Sequence, residues 1–429
     1  MTKTKVLIIA YYWPPAGGPG VQRWLKFVKY LPDFNIEPIV YVPSNPSYPI
    51  VDEALLEEVS DKLTVLKQPI KEPYKLAGFL SKNKSKTISK GIIPKEKQQS
   101  LIDKLLLFVR GNFFIPDARI NWVKPSVKFL ENYINENSIK TVITTGPPHS
   151  LHLIGLELQK KLAVNWISDF RDPWTTIGYH NQLKLTNFAK KKHETLEKQV
   201  LQAADQIIVT SEVTKKEFSN LTEKPISVIT NGYDRNTVAN PSLDKKFTLA
   251  HIGSLLSKRN PVVLWQVLKE LIEDYSGFAD DFELHFVGSV SEDVLETLKS
   301  YNLSSYVTNH SYVTHNKAME FQKKSQVLLL IEIDSEDTKC IIPGKLFEYL
   351  VSNRPILAIG PKGSDVENII KETNTGSYFN YHNHDEIKRV LLNLYKAYKE
   401  GSLKSHAIGL QKYSRKSLTE SLSKLILWE

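Results

Sequence analysis

The run Ile342, Pro343, Gly344, Lys345, Leu346, Phe347, Glu348, Tyr349, Leu350 sets a lysine and a glutamate three residues apart, directly after a Pro-Gly pair. That pair marks a helix start, so Lys345 falls in the first helical turn, where the macrodipole opposes a cation. A bound diphosphate removes the conflict. Glu348, one turn on along the same face, suits a ribose diol as hydrogen-bond acceptor. The bland alternative is an i,i+3 ion pair on a surface helix. A second cation recurs near a helix start: Gly253 and Ser254 follow an apolar run, and Arg259 stands just before Pro261. In the first half, Gly17 and Gly18 lie in a Pro-Pro-Ala-Gly-Gly-Pro-Gly loop between an apolar run and a helix-like segment. Strand, glycine loop and helix N-terminus together turn backbone N–H groups and a positive dipole end toward an anion. The spacing is not G-x-G-x-x-G and no P-loop lysine follows, so neither the dinucleotide nor the Walker reading is supported. A tight turn without a ligand is the plain alternative.

Two further loops carry groups able to move protons. One reads Thr145, Gly146, Pro147, Pro148, His149, Ser150, the other Asp169, Phe170, Arg171, Asp172, Pro173, Trp174. Both follow short β-branched runs, and ligands of open α/β sheets bind at the carboxyl ends of the strands. His149, Arg171 and Asp172 are the catalytic candidates. Asp172, between an arginine and Pro-Trp, suits proton transfer or a sugar hydroxyl, and the Trp174 face suits a sugar ring or a lipid interface. Asp169 and Arg171 also fit a local ion pair.

The elements that must position these groups are legible as apolar runs alternating with helix-like segments. The runs 6–10, 38–42, 141–144, 164–167, 206–209 and 227–229 form one set, and 247–252, 282–287, 327–331, 356–359 and 376–379 form another. This is the βαβ pattern of parallel sheets covered on both faces. The expectation is two Rossmann-like doubly wound α/β domains: residues 1–240, with a basic insert at about 71–118, and 241–410. A final helix over 411–429 either packs on its own domain or crosses back to the first. At 429 residues, two domains are the natural prior.

Composition narrows the class. Hydrophobic residues at 41% and charged residues at 24% suit a globular enzyme. One cysteine, Cys340, cannot form an intrachain disulfide, which favours a reducing compartment. No run of 18 apolar residues appears, and the short apolar N-terminus, broken by Pro14 and Pro15, reads as a buried strand rather than a signal peptide. Of the net charge of +9, residues 71–110 hold +7, from ten Lys or Arg against three Asp or Glu. Those cations precede and enter the apolar stretch 101–109, a combination suited to an anionic membrane surface; a solvated lysine loop is the simpler reading. No aromatic basic stripe or known motif supports nucleic-acid binding.

In their order along the chain, the Gly17-Gly18 loop, the Asn231-Gly232-Tyr233-Asp234 junction, Gly253-Ser254 with Arg259, and the stretch 343–355 resemble family four of the retaining glycosyltransferases. The resemblance spans nearly the whole chain and implies the GT-B fold, with two Rossmann-like domains facing a cleft. It implies that Gly17, Gly18, Gly253 and Ser254 lie near a nucleotide-sugar donor, that Arg259 and Lys345 neutralise its diphosphate, and that Glu348 binds the ribose. Backbone near Tyr312 and Val313 would read the base. Transfer would retain anomeric configuration and need no metal or other cofactor, the leaving diphosphate helping to deprotonate the acceptor. The Thr-Gly-Pro-Pro-His and Asp-Phe-Arg-Asp-Pro-Trp motifs resemble a bacterial subgroup of cell-surface polysaccharide synthesis, with a glycan or lipid-linked acceptor. That implies a cytoplasmic protein, peripheral on the inner face of the plasma membrane. Two positions depart from the family: Cys340 stands where it carries a glutamate eight residues before Glu348, and Arg171 where many relatives have histidine.

Overall fold

A computed structural model describes residues 3–72, 101–178, 180–234 and 241–428. Most of the basic stretch 71–110, namely 73–100, lies outside the described residues, as do 235–240, where the linker and the domain boundary were expected. The chain divides into two compact units, Met1–Thr230 with Arg415–Glu429, and Asn231–Ser414.

The first unit holds seven strands: β1 Thr4–Ile9, β2 Ile36–Pro43, β3 Thr64–Gln68, β4 Thr141–Gly146, β5 Asn165–Phe170, β6 Gln206–Val209 and β7 Ile226–Val228. All pair in parallel, in the order β3-β2-β1-β4-β5-β6-β7. Chain direction across the sheet therefore reverses between β1 and β4, the switch point at which doubly wound folds open a crevice. β1 is buried on both faces because helices cover both. Leu7 and Ile9 pack with Leu130, Ile134, Ile154 and Leu158, while Val6 and Ile8 pack with Val21, Trp24, Leu25 and Val28. The same second layer takes Leu418, Leu422 and Ile426 from the helix Arg415–Leu427, so the end of the chain completes the core of the unit that its beginning started.

The second unit repeats the scheme with β8 Phe247–Ile252, β9 Phe282–Val287, β10 Val307–His310, β11 Val327–Ile331, β12 Ile356–Ile359 and β13 Gly376–Phe379. The order is β10-β9-β8-β11-β12-β13, again all parallel, with its switch between β8 and β11. Leu249, Leu329 and Ile331 pack with Leu264 and Leu268 on one face, and Ala250, Leu328 and Leu330 with Leu346, Leu350 and Ile370 on the other. β8 pairs with β9 along its full length, but with β11 only at Leu249 and Ala250. Beyond Ala250 the two strands part.

Candidate functional site

That parting leaves Ile252 without a strand on one side, and the helix Gly344–Leu350 fills the gap. Tyr349 Oη accepts from the Ile252 amide at 3.0 Å, and Lys345 Nζ donates to the Ile252 carbonyl at 2.8 Å. The two side chains are one turn apart, i and i+4, hence on one helix face. Lys345 Nζ also lies 3.1 Å from Nε2 of buried His251. His251 Nδ1 sits 3.1 Å from the Leu329 carbonyl, a bond it makes only as donor, so Nε2 carries the lone pair that faces the lysine. Burial first, and repulsion from Arg259 second, push the Lys345 amine down to about 7; burial and then Lys345 hold His251 well below its ordinary range. The plain alternative, an i,i+3 ion pair between Lys345 and Glu348, does not form. Glu348 instead accepts from Gln322 Nε2 at 2.7 Å, with His315 Nε2 3.7 Å away.

Arg259 ends the loop that follows β8. Its Nε is buried without a partner among the described residues, and burial lowers the guanidinium pKa, an effect opposed by Tyr381 and Glu332. Gly253 turns this loop at φ 108, a conformation open to glycine, and a Cβ there would fall 3.5 Å from Lys345 Nζ. Ser254 is exposed on the same loop, and Tyr312, 89% exposed, and half-buried Val313 follow β10.

Sequence reasoning missed Glu332. It follows β11 directly, across the switch from Gly253, and is buried. Its carboxylate accepts from Tyr378 Oη at 2.7 Å and Ser364 Oγ at 2.9 Å, and its backbone carbonyl accepts from Tyr381 Oη at 2.7 Å. Burial pushes its carboxyl up to about 7. The available signal was a glutamate ending the run Val-Leu-Leu-Leu-Ile; the acidic residues after it make the position read as a solvated loop. Lys345, Arg259, His251 and Glu332 thus gather on the carboxyl edge of the second sheet, with Lys345 and Glu332 each brought to about 7. Two repelling cations there have the electrostatics of an anion site.

In the first unit the loops after β1, β4 and β5 are tied together rather than open. Gly17 N donates to the Ile50 carbonyl at 3.0 Å and Asp52 N to Pro15 O at 2.8 Å, so the glycine loop is stitched to the segment beyond β2. Gly18, at φ 107, precedes the helix Pro19–Tyr30. A Cβ on Gly20 would fall 1.7 Å from Arg171 Nη1, so only glycine lets that guanidinium lie against the first turn. Arg171 donates to Pro147 O, which joins the β4 and β5 loops. Asp169 does not pair with Arg171. It is fully buried and meets Arg23 at 2.9 Å, with Trp24 Nε1 and Thr145 Oγ1 donating at 2.8 Å each, which keeps its carboxyl below the usual range despite burial. Asp172 is half-buried; burial raises its carboxyl pKa, Arg171 lowers it and Asp169 adds to the rise.

His149 and Trp174 lie inside rather than in a solvent-facing loop. Their rings stack at 4.8 Å and 4°, Trp174 Nε1 donates to His193 Nδ1 at 3.1 Å, and neither His149 nitrogen has a partner among the described residues. Burial holds His149 neutral. Trp174 therefore has no face for a sugar, because its rings fill the core beside Phe170 and Leu153.

No family model matches the chain, and no curated sequence does. Solved structures match along its whole length. TarM aligns with a TM-score of 0.61 at 12% identity, covering 99% of both chains. Sucrose-phosphate synthase from Thermosynechococcus elongatus gives 0.59 at 12%, also covering 99% of each. A structure described as a UDP-N-acetylglucosamine 2-epimerase from Listeria monocytogenes gives 0.55 at 12%, covering 100% of this chain and 98% of that one. At such identities the likeness shows the fold, two parallel sheets with covering helices, and that fold is the GT-B fold of glycosyltransferases.

Proposed function

We propose that the chain is a glycosyltransferase that moves a sugar from a nucleoside-diphosphate sugar to a glycan or lipid-linked acceptor, with retention of configuration, in cell-surface polysaccharide synthesis. One observation carries the reading: Lys345 and Arg259, two cations whose pKa values burial depresses, that of Lys345 further lowered by Arg259, share the carboxyl edge of the second sheet. A diphosphate relieves that repulsion, and two fixed cations can supply the charge that a divalent ion supplies elsewhere, so the reaction needs no metal or other cofactor. In this reading Asn231–Ser414 binds the donor. Gly253 and Ser254 approach its phosphates, Glu348 exchanges Gln322 for the ribose diol, and Tyr312 offers an exposed ring near the base. The first unit takes the acceptor, with Asp172 and Arg171 the groups nearest the chemistry. His149, buried against Trp174, acts by holding the loop rather than by touching substrate. An S. aureus TarM structure was solved with UDP, which supports a nucleoside diphosphate as the donor part, and the lipopolysaccharide galactosyltransferase WaaB shares the fold at a TM-score of 0.59 and 14% identity. The protein works in the cytoplasm, peripheral on the inner face of the plasma membrane, through the basic stretch 71–110. No helix among the described residues is long and apolar enough to cross a membrane.

Calorimetric titration of nucleoside diphosphates and their sugars into the wild type and into Lys345→Ala and Glu348→Gln tests the reading, followed by turnover with labelled donor and a cell-derived lipid acceptor. Binding lost in Lys345→Ala, with sugar transferred by the wild type, is the expected result; binding indifferent to Lys345 overturns it. The epimerase neighbour favours a second reading, nucleotide-sugar epimerisation. Labelled donor incubated without acceptor separates the two, since only an epimerase interconverts the sugar. A non-catalytic nucleotide-binding relative, suggested by Cys340, would bind without turnover.

A further inference from the structure

A second surface of the first unit, unconnected with the switch point, joins exposed aromatic rings to cations. The helix Leu101–Phe113 buries Leu107 and Gly111 and turns the opposite side outward, with Leu105 60% and Phe113 72% exposed, and Phe108 exposed between them. Its C-terminal end is fastened to the start of the helix Asn187–Ala203. Asn112 Oδ1 accepts from Thr186 N at 2.7 Å and Thr186 Oγ1 at 2.8 Å, and Thr186 in turn caps that helix through Ala189 N. The Asn112 amide donates to Lys184 O at 3.3 Å, and a Cβ on Gly111 would meet Leu185 at 2.7 Å. This junction fixes Phe113 and Phe188, 75% exposed, on either side of one small polar knot. Two large apolar side chains kept so far out of the core are held there by backbone geometry.

The charge around them is mostly positive. Lys190, Lys191 and Lys192 follow Phe188 on the exposed side of the second helix, while Ala189, His193 and Glu197 form its buried stripe. None of the three lysines has an ion-pair partner among the described residues. The first turn of that helix holds no acidic residue, so the cations begin where the macrodipole opposes them. Lys184 and Arg110 border the same junction, with Glu194 the acidic side chain nearest in sequence. Exposed phenylalanines amid lysines in a rigid frame are what an anionic interface rewards on both counts: rings enter the headgroup boundary and cations stay with the lipid phosphates. A nucleic-acid duplex, whose bases are stacked out of reach, would reward the lysines alone.

We infer that the junction of the helices Leu101–Phe113 and Asn187–Ala203 docks on an anionic lipid surface, with Phe113 and Phe188 as the inserted anchors and Lys190 to Lys192 as the headgroup contacts. The inference assigns apolar anchors and a second helix outside the basic stretch 71–110, and it does not rest on the transferase reading. Co-sedimentation of the full chain with vesicles of phosphatidylcholine alone, and with roughly one-third phosphatidylglycerol, tests it. The wild type is expected to bind the anionic vesicles and not the neutral ones. A cation near an anionic surface is worth about fivefold in partition, so replacing Lys190, Lys191 and Lys192 by serine lowers binding about a hundredfold. The Phe113→Ser, Phe188→Ser double variant lowers it by about tenfold or more. Both variants alter exposed side chains, and unchanged circular dichroism and melting confirm that they fold. Binding that survives loss of both rings but not of the lysines marks a purely electrostatic surface, suited to nucleic acid or an acidic protein, and overturns the inference. So does equal binding to neutral vesicles, absence of binding by the wild type, or self-association in sedimentation velocity that both ring substitutions abolish.

Discussion

Donor binding should weaken as pH rises through neutrality, and Lys345 should be the reason. Its amine has an ordinary pKa of 10.5 and is pushed to about 7 by burial and by Arg259, so about half of the molecules carry that charge at neutral pH. A diphosphate seated on Lys345 returns the pKa upward, so the complex holds more protons than the free protein. By linkage, affinity is then greatest below about 7 and falls above it. With a free-state pKa of about 7 and a bound-state value above about 9, the protonated fraction drops from roughly three-quarters at pH 6.5 to about 3% at pH 8.5. The dissociation constant should therefore rise about 25-fold over that interval, close to 2 kcal/mol. The assay is isothermal titration of the nucleoside-diphosphate sugar that gives the largest thermal shift, because its diphosphate diester does not itself titrate in this range. Repeating the titration at neutral pH in two buffers of different ionisation enthalpy should reveal uptake of about half a proton from Lys345. Lys345→Met should bind weakly throughout and lose most of the pH dependence. A wild-type affinity flat across the interval, or a Lys345→Met variant weakened equally at every pH, refutes the reasoning.

Glu332 titrates in the same window with the same sign, since an arriving anion also favours its protonated form. Glu332→Gln keeps an acceptor for one of Tyr378 and Ser364, offers its amide N–H to the other's hydroxyl oxygen and removes the charge, so donor affinity at about pH 8 should improve a few-fold, with little change at about pH 6, read by the same titration. Leu422 is fully buried between the terminal helix and the first sheet, so Leu422→Ala should cost about 2–5 kcal/mol in urea unfolding of the first unit, and an effect below about 1 kcal/mol would mean the helix is not part of that core. Burial lowers His152 to about 3, so the unfolded chain binds its proton first as pH falls; stability is complete above about 6.5 and declines below it. Between pH 6.5 and 4.5 this histidine alone should remove about 2–3 kcal/mol from the first unit, and His152→Leu should flatten that part of the urea midpoint against pH.

Most strands that formed where apolar runs predicted them are buried on both faces, such as Phe247–Ile252 and Val327–Ile331, in which every residue is interior. β3 and β10 escaped because Thr64–Gln68 and Val307–His310, edge strands of their sheets, leave residues exposed and have no continuous apolar run to betray them, whereas the other two edges, β7 and β13, were legible as short runs. The candidate site divides along a similar line. That Lys345 sits awkwardly at a helix start is a local fact, and local facts are legible. Where its amine goes is not, because the carbonyl it takes belongs to Ile252, 93 positions earlier, and is left unpaired only by the divergence of β8 from β11. The spacing Lys345-x-x-x-Tyr349 was in view and could have suggested two side chains working on one target. Its meaning depends on knowing that a parallel sheet splits at its switch point and leaves one residue with both backbone groups unsatisfied on that side. The same helix that closes this gap delivers a cation to the edge where doubly wound sheets bind ligands. The lysine that completes the fold is thus the lysine an anion would recruit, and a diphosphate there would take the third N–H of an Nζ already held by Ile252 O and His251. Replacing His251, which holds one side of that amine, should therefore change affinity for the donor without touching it.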